Sequence, residues 1–380
     1  MLKAKIHICF VSAQAAPNLL PALDPQCQKP QNVILLVTGK MASKADAMER
    51  VLRTSGIKTS RVLIDDEHDV VRLKNIVLNV ASEYEKEQVA LNLSGGTKLM
   101  ALAAYQTVRE GGLRWDVFYV DIDTDELIVL TNEPTRFRLE PKIRLPDYLR
   151  AYGYDPQPGL RSPDSSKNLD GLLEDLILNV GSLAGPIGEL NALAHAAEAR
   201  ESLSIELPPH GGSAGLQSLL QKFSDSDVLA IGGDRIEFRS ESDRAFAGGG
   251  WIEEYVYREV SRLSQELGVR DKHVNLVVFD ASGVKNELDV AFMARNRLHV
   301  IECKTARMNG VQASKANDAL FKLAEISRRI GGLGTRAMLA SYRMLDEHEK
   351  RLARALNVEL VCGSDLRRLD EKLKVWVTGR

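Results

Sequence analysis

The stretch that decides the fold of the C-terminal part of the chain is Glu287-Leu-Asp-Val-Ala-Phe-Met-Ala-Arg-Asn-Arg-Leu-His-Val-Ile-Glu-Cys-Lys304. It contains two largely apolar runs, residues 288–293 and 298–303, separated by the turn-like pair Arg295-Asn296. A similar run, residues 274–279, comes just before it. Short apolar or alternating runs separated by turn residues predict three consecutive strands, the last two forming a hairpin.

Charged side chains at the two ends of this hairpin are expected to meet. Because side chains on a strand alternate between faces, Glu287 and Asp289 share one face, and Glu302 and Lys304 share one face. A hairpin centred on the turn places Asp289 opposite Glu302 and Glu287 opposite Lys304. Two neighbouring carboxylates repel unless a cation lies between them, and a divalent cation with oxygen ligands is the usual solution.

This combination predicts metal-dependent hydrolysis of a phosphodiester bond. A divalent cation polarises the phosphate and lowers the pKa of its bound water, while a lysine can position that water and offset developing negative charge. The pattern is short and also occurs by chance. The alternative interpretation is a solvated edge strand in which Glu287 pairs with Lys304.

A third acid is expected on a helix that precedes the three strands. Glycines 248–250 open a segment whose apolar residues recur at helical spacing, so a helix is predicted from about residue 251. Glu253 borders the apolar stripe, where an acid needs a partner. We therefore predict that Glu253 joins the acidic cluster. Glu254 remains an alternative, since an acid at a helix N-terminus is also an ordinary dipole interaction.

These residues resemble the PD-(D/E)xK restriction-endonuclease-like fold, which has an αβββαβ core. The resemblance rests on Glu253, on Asp289 within Glu-Leu-Asp-Val, and on Glu302-Cys-Lys304. The rest of that core is also legible, as a helix over 313–329, a strand over 336–340, a helix over 345–356 and a strand over 358–362. The resemblance covers residues 248 to 380.

The N-terminal part of the chain alternates between strand and helix patterns. Strands are predicted over residues 5–12, 32–38, 61–64, 89–94 and 116–122, and helices over 43–53, 70–85 and 98–110. Alternating units of this kind predict a doubly wound, mainly parallel, Rossmann-like sheet. Ligands of such sheets bind beyond the carboxyl ends of the strands.

Two of those carboxyl ends carry polar or glycine-rich segments. The first strand leads into a polar, proline-braced loop that contains Ser12, Gln14 and Asn18. The fourth leads into Asn92-Leu-Ser-Gly-Gly-Thr-Lys98, where glycines permit close approach of a ligand and helix amides can hold an anion. The spacing is neither that of a Walker A loop nor GxGxxG, and an ordinary strand-to-helix turn is the alternative.

Taken together, the two loops and Gly-Gly-Trp-Ile-Glu-Glu-Tyr-Val-Tyr before the nuclease-like hairpin resemble the CARF nuclease effectors of type III CRISPR immunity. In that family a dimer of Rossmann-like CARF domains binds a cyclic oligoadenylate, commonly cyclic tetra-adenylate, across its two-fold axis. Binding switches on a nuclease that depends on manganese or magnesium. The family's substrates span single-stranded DNA, supercoiled duplex DNA and single-stranded RNA.

The resemblance implies a role for each matching residue. Asp289 and Glu302 become metal ligands, with the Cys303 carbonyl as a further ligand; Lys304 becomes the catalytic lysine and Glu253 the helix acid. The residues implied at the cyclic ligand are Ser12, Gln14, Asn18, Asn92, Ser94, Gly95, Gly96, Thr97 and Lys98.

The middle of the chain is less informative. Residues 152–168 are rich in Pro, Gly, Ser and Asp and are predicted to be a linker. Helices are predicted over 169–180, 187–198 and 216–223, and a hairpin over 228–239. The predicted organisation is therefore a CARF domain over 1–150, a linker with a small winged-helix-like connector over 151–245, and a nuclease domain over 246–380.

Composition limits the function classes. A formal net charge of −2 argues against coating a duplex by charge alone. The four cysteines show no CxxC spacing, and the histidines form no metal-binding cluster, which predicts a cytoplasmic protein without structural zinc. Neither a signal peptide nor a membrane span is expected.

Three hypotheses remain open from the sequence. The first is a ligand-gated, metal-dependent endonuclease. The second is a CARF-type regulator that binds nucleic acid through its middle module and does not cleave. The third is a repair or restriction nuclease that no ligand controls, which a separate Rossmann-like domain disfavours.

Overall fold

The computed structural model describes residues 2–84, 87–131, 135–140, 143–157, 169–305 and 313–379. Three sheets organise these residues: a seven-stranded sheet in the N-terminal domain, a small three-stranded sheet in the middle, and a six-stranded sheet in the C-terminal domain. Most of the predicted linker, residues 158–168, lies outside the described residues.

The N-terminal sheet contains the five predicted strands, in the order β3-β2-β1-β4-β5, and all five run parallel. Two antiparallel strands, β6 and β7, extend it beyond β5. The bounds are β1 Ile6–Phe10, β2 Asn32–Thr38, β3 Lys58–Ile64, β4 Val89–Asn92, β5 Asp116–Asp121, β6 Glu126–Val129 and β7 Arg136–Arg138. Every residue of β1 and β4 is buried, as expected for central strands covered on both faces.

The helices of this domain are α1 Ala16–Leu23, α2 Ala42–Thr54, α3 Val70–Glu83, α4 Lys98–Glu110 and α5 Leu145–Ala151. The prediction of a loop after the first strand is wrong in part, because α1 begins at Ala16. Pro17 lies in the first turn of α1, where the missing N–H of proline costs nothing and its fixed φ favours the helix. Pro17, which is typical of a loop when judged from the sequence alone, therefore lies at the start of a helix.

The middle of the chain packs helices against a small antiparallel sheet. It contains α6 Asp170–Leu178, α7 Val180–Ala199, β9 Ser204–Glu206, α8 Ala214–Asp225, β10 Leu229–Gly232 and β11 Arg235–Phe238. The sheet has the order β10-β11-β9, so the predicted hairpin is joined by a strand that the sequence did not reveal.

The C-terminal domain is built on the sheet β16-β15-β14-β13-β12-β8. Its strands are β12 Val269–Phe279, β13 Lys285–Ala294, β14 Arg297–Lys304, β15 Arg336–Ser341 and β16 Val358–Cys362. The edge strand β8, Asp155–Gln157, pairs antiparallel with β12 although it lies in the predicted linker. Thus the segment after residue 151 begins by joining the C-terminal sheet.

The helices from residue 241 onward are α9 Glu241–Ala245, α10 Trp251–Arg262, α11 Ser264–Leu267, α12 Ala313–Gly331, α13 Glu347–Ala355 and α14 Leu369–Thr378. A π-helical turn, Phe246–Gly250, joins α9 to α10, and it contains the glycines that were predicted to open the helix. The sequence had predicted α10, α12 and α13 but not α9, α11 or α14.

The hairpin register agrees with the prediction. Pairing between β13 and β14 runs from Val290 with Ile301 to Ala294 with Arg297. Arg295 and Asn296 have φ of 51° and 56°, the left-handed conformation that a two-residue hairpin turn of type I′ requires. The ladder stops at Val290 and Ile301, just before the pair Asp289 and Glu302.

The N-terminal and C-terminal domains share a hydrophobic core. One apolar cluster runs from α1, α2 and the face of the N-terminal sheet beneath them, through α5, to one face of the C-terminal sheet and α12. A second cluster joins the middle helices to α10, α14 and the opposite face of the C-terminal sheet. Movement in the N-terminal domain can therefore reach the C-terminal sheet through packed side chains.

Within the described residues, no single helix has the length and apolar character needed to cross a membrane; α6 and α7 meet the criterion only as a pair, bent by 115°.

Candidate active site and ligand loops

The structure brings Asp289, Glu302 and Lys304 together at the open end of the hairpin. The Lys304 Nζ lies 2.6 Å from Glu302 Oε1 and 3.8 Å from Asp289 Oδ2. Beyond Ile301 the main-chain pairing of β14 with β13 has ended. There the Cys303 amide donates to Asp289 Oδ2 at 2.7 Å. The alternative pairing of Glu287 with Lys304 is not seen among the ion pairs of the described residues.

Burial and mutual repulsion dominate the electrostatics of this centre. Burial, followed by repulsion from Glu302, raises the pKa of Asp289 well above its usual value, despite the nearby Lys304. Burial alone lowers the pKa of Lys304, but Glu302 and Asp289 outweigh it and raise that pKa above its usual value. The lysine is therefore held in its charged form between two acids.

Glu253 lies on the first turn of α10 and reaches the same centre. Burial raises its pKa to about 7, Lys304 opposes this shift, and Glu287 and Glu302 add to it. Glu254, the alternative, points elsewhere: its Oε1 accepts from Arg258 Nε at 2.6 Å. We call Glu253, Asp289, Glu302 and Lys304 the acidic centre.

The donor set of the acidic centre suits a hard divalent cation. Two carboxylates lie within 4 Å of the Lys304 ammonium and Glu253 lines the adjoining cavity, so the centre carries excess negative charge when all three acids are ionised. Carboxylate and carbonyl oxygens are the ligands that such cations prefer. Burial raises the pKa of the Cys303 thiol well above its usual value, so only the main-chain carbonyl of Cys303 is a suitable donor. Among the described residues, no three His, Cys, Asp or Glu side chains form a group that could hold a metal ion. A set built on Asp289, Glu302 and a carbonyl needs only two such side chains.

A cavity of about 350 Å³ opens beside the acidic centre. Glu253, Glu287 and Lys304 line it on the side of the C-terminal domain. The opposite wall comes from the middle of the chain and includes Asn191, His195 and Arg244. Sequence reasoning placed those residues in a connector, and no motif connects them to the hairpin.

Two buried contacts attach that wall to the end of β14. The Thr305 hydroxyl donates to Asn191 Oδ1 at 2.9 Å. Gly249, with φ of 134°, approaches the same hydroxyl so closely that a Cβ there would lie 2.7 Å from Thr305 Oγ1. The residue after Lys304 is therefore fixed by α7 and by the π-helical turn.

Asn275 is a further residue of the cavity that the sequence did not single out. It lies within β12 yet has φ of 52°, which is rare for a residue inside a strand. Its side-chain amide is near enough to Glu253 to lower the pKa of that carboxyl, against the larger effect of burial.

In the N-terminal domain, the two polar segments meet at the switch point of the sheet. The chain passes from β1 outward to β2 and β3 on one side, and to β4 and β5 on the other, so β1 and β4 are neighbours whose carboxyl ends flank a crevice. We call residues 11–15 the first loop and residues 93–97 the glycine loop.

Asn18 and Asn92 fasten these loops together. Asn18 Nδ2 donates to the Phe10 carbonyl at 2.9 Å, and Asn92 Nδ2 donates to the Pro17 carbonyl at 2.8 Å and to Asn18 Oδ1 at 3.0 Å. Both side chains are buried. Their amides are committed to protein atoms, so they shape the crevice from below.

The glycine loop is held from both sides. The Ser94 hydroxyl donates to Asn92 Oδ1 at 2.6 Å and accepts from the Val120 amide at 2.7 Å. A Cβ on Gly95 would lie 2.0 Å from the Phe10 carbonyl oxygen, so only glycine permits this approach. The sequence predicts that Gly95 permits approach of a ligand, and the structure shows that it also permits contact between the glycine loop and the end of β1 at Phe10.

The outer part of the glycine loop is exposed. Gly96 has φ of 77°, and Thr97 caps α4 by accepting from the Met100 amide at 3.2 Å. Thr97 and Lys98 are exposed at the helix N-terminus, where free amides and the helix dipole favour an anion.

The first loop faces both the crevice and the C-terminal domain. The Gln14 amide donates to Ser12 Oγ at 3.2 Å, which closes a local turn. The Gln14 side chain extends away from this turn and accepts from the Leu333 amide of the C-terminal domain at 3.1 Å. Gln14 therefore lies at a junction between the domains as well as beside the crevice.

Comparison with known proteins matches both ends of the chain. Residues 6–148 match the family model of the Card1 CARF domain, and residues 240–379 match that of the Card1-like endonuclease domain. The predicted fold class is thereby confirmed at both ends. Residues 149–239 lie outside both matches. No curated protein matches the chain.

Several solved structures share the architecture. Protein VC1899 from Vibrio cholerae is 27% identical, with 98% of this chain and 97% of that chain covered and a TM-score of 0.89. Can2 from Sulfobacillus thermosulfidooxidans, solved in complex with cyclic tetra-adenylate, is 24% identical, with coverage of 98% and 97% and a TM-score of 0.81.

A more distant likeness is to a type III CRISPR defence DNA nuclease activated by cyclic oligoadenylate. It is 21% identical, with 90% of this chain but 46% of that chain covered and a TM-score of 0.56, so it shows the fold alone. The two family matches decide the assignment: the chain belongs to the CARF-nuclease effectors, with a Card1 CARF domain and a Card1-like endonuclease domain.

Proposed function

We propose that this protein is a metal-dependent endonuclease switched on by a cyclic oligoadenylate in type III CRISPR antiviral defence. The observation that carries the proposal is the meeting of Asp289, Glu302 and Lys304 beside a cavity in the endonuclease domain. The CARF domain supplies a separate crevice between the first loop and the glycine loop.

The acidic centre has the parts that phosphodiester hydrolysis needs. A divalent cation, manganese or magnesium, would be held by Asp289, Glu302 and the Cys303 carbonyl, and it would polarise the phosphate and acidify a water. Lys304, which is held in its charged form, would offset the negative charge that develops on the phosphate. Glu253, with a pKa of about 7, is suited to accept or hold a proton near neutral pH.

The crevice of the CARF domain suits an anionic cyclic nucleotide. Lys98, Thr97 and the start of α4 offer positive charge and amide donors, while Ser12 and Gln14 border the other side. Asn18, Asn92, Ser94 and Gly95 hold the two loops in place. The Can2 complex supports cyclic tetra-adenylate as the activator.

A homodimer follows from the proposed ligand. Two copies of the crevice related by a two-fold axis would present identical anion sites to a symmetric ring. Leu102 and Leu99 on α4, next to Lys98, are 65% and 36% exposed, which is unusual for large apolar side chains and favours a partner there.

The proposed substrate is DNA, by nicking or single-strand cleavage, with single-stranded RNA as a further substrate. Labelled single-stranded DNA, labelled RNA and supercoiled plasmid should each be incubated with and without cyclic tetra-adenylate and with and without Mn²⁺. Cleavage that needs both additions supports the proposal. Ligand binding without cleavage would favour a regulator, and ligand-independent cleavage would favour an ungated nuclease.

A further inference from the structure

The pairing between β12 and β13 shifts register between Val269 and Asp271 and is interrupted again further along, beside the acidic centre. Val274 pairs with Val290, and the next pair is Leu276 with Leu288, so Asn275 and Asp289 are passed over. One of these residues is left-handed, and the other belongs to the acidic centre. The interruption therefore lies where β12 passes the proposed active site.

Both strands change faces at this interruption. In a regular strand, residues two apart share a face. Val274 instead packs against the cluster on the α10 side of the sheet, while Leu276 belongs to the cluster on the opposite side. Val290 and Leu288 divide between the same two clusters. A paired irregularity of this kind re-aims the side chains between the switched positions, as bulges next to active sites do.

The side chain re-aimed on β12 is that of Asn275, and it lies in the cavity with Glu253 and Lys304. Glu253 is half-buried, and its carboxylate needs a polar partner to stay in place. Arg258 binds Glu254 and does not supply that partner. Asn275 offers an amide on the strand next to Asp289.

We propose that Asn275 is a positioning residue of the endonuclease: its left-handed backbone opens the β12–β13 ladder beside Asp289, and its amide orients the Glu253 carboxylate toward the acidic centre. The inference rests on the proposed nuclease function. On this proposal, the left-handed backbone at Asn275 serves the active site as well as the fold.

Asn275→Gly distinguishes the contribution of the backbone conformation from that of the side-chain amide. Glycine adopts positive φ without strain, so the variant keeps the interruption and loses only the amide. Asn357→Gly is the matched control, because Asn357 also has a positive φ, of 57°, and is exposed in the turn between α13 and β16. Asn275→Asp is a second variant that keeps the size and left-handed tolerance but replaces the amide donor by an acid.

We expect Asn275→Gly to lower kcat by about 10- to 100-fold with little change in KM, since a hydrogen bond to a charged group is lost in the reacting complex. Asn275→Asp should also lower kcat, because its carboxylate repels Glu253. Mn²⁺ binding, measured by calorimetry without substrate, should weaken in Asn275→Gly, where the Glu253 carboxylate is no longer oriented, and stay unchanged in Asn357→Gly. Thermal unfolding of Asn275→Gly should match that of the control.

Two outcomes would overturn the inference in different ways. Wild-type cleavage together with normal kcat in both Asn275 variants and normal Mn²⁺ affinity in Asn275→Gly would refute the role of Asn275 and leave the proposed function intact. A wild-type protein that neither cleaves nucleic acid nor binds Mn²⁺ would remove the proposed function and this inference with it.

Discussion

Gln14 Oε1 accepts a hydrogen bond from the Leu333 amide at 3.1 Å, and this bond joins the first loop of the CARF domain to the turn that follows α12 of the endonuclease domain. The contact requires glycine at position 332, because Gly332 has φ of 68° and a Cβ there would lie 2.2 Å from Gln14 Oε1. A second bond, from the Tyr148 hydroxyl to the Gly331 carbonyl at 2.8 Å, holds the same turn. The first loop and the endonuclease domain are thus in direct contact.

Gln14→Ala should weaken the coupling between ligand binding and cleavage. Because the lost hydrogen bond is worth about 0.5–1.5 kcal/mol, we expect stimulation by cyclic tetra-adenylate to fall by about 2- to 10-fold. Ligand affinity should change less than stimulation. Gln28→Ala, at an exposed glutamine on the same domain, is the control. Equal stimulation of Gln14→Ala and wild type would show that this contact carries no coupling.

Glu302→Ala and Lys304→Ala should each abolish measurable cleavage while ligand affinity persists. Removing a group that stabilises developing charge costs about 10²- to 10³-fold in kcat, and loss of Glu302 also removes a proposed metal ligand. Cleavage should be followed on plasmid and on single-stranded DNA, with ligand binding measured separately. Lys285→Ala, at an exposed lysine of β13, is the matched control. Turnover retained in either acidic-centre variant would refute the assigned site.

Lys98→Ala should weaken binding of cyclic tetra-adenylate by about tenfold or more, because a charge-assisted contact with a phosphate is lost. Thr97→Ala should weaken it as well and should also destabilise α4 by about 1 kcal/mol, since its hydroxyl caps that helix. Thr97→Ser keeps the cap and should bind nearly normally. Lys58→Ala, at the opposite edge of the sheet, should leave affinity unchanged; a loss equal to that of Lys98→Ala would argue against a local contact.

Gly95→Ala should push the glycine loop away from the carboxyl end of β1. The added Cβ would collide with the Phe10 carbonyl at 2.0 Å, and this main-chain atom cannot move without displacing β1. We expect a lower midpoint of thermal unfolding and weaker ligand binding. Gly39→Ala, where a Cβ meets no atom within 4 Å, is the control. A variant as stable as this control would show that the glycine loop and the end of β1 are not in fixed contact.

The parts of the fold that the sequence could predict are those with a clear period or a clear turn. The β13–β14 register followed from two apolar runs around Arg295-Asn296, and the parallel N-terminal strands followed from their alternation with helices. The short strands β6, β7, β8 and β9 have too few residues to show a period. Helix α1 cannot be predicted from a local pattern, because its eight residues include Pro17 and Pro21 and prolines are more typical of loops.

The acidic centre could be assembled from the sequence only in part. Strand parity brings Asp289, Glu302 and Lys304 together because the hairpin is local. Asn275 gave no signal, since the face change on β12 is hidden by the matching change on β13. The wall formed by Asn191 and Arg244, and the bond from Gln14 to Leu333, depend on contacts between distant parts of the chain that no local pattern encodes.

His7 should make the stability of the CARF domain depend on pH. It lies buried in β1, burial lowers its pKa from 6.5 to about 4, and its Nε2 has no hydrogen-bond partner among the described residues. The unfolded chain therefore takes up a proton near pH 6.5, whereas the folded protein resists protonation until about pH 4. Above pH 7.5 His7 is neutral in both states and its burial gives no pH dependence. As the pH falls from about 6.5 to about 4, protonation of the unfolded chain lowers the free energy of unfolding, by on the order of 3 kcal/mol near pH 4.

His7→Leu should therefore gain stability relative to wild type at pH 5 compared with pH 7.5, in urea unfolding followed at both pH values. His68→Leu, at a histidine whose side chain is 77% exposed, should show no such gain. An identical pH response in His7→Leu and wild type would mean that His7 is protonated, or solvated, in the folded protein.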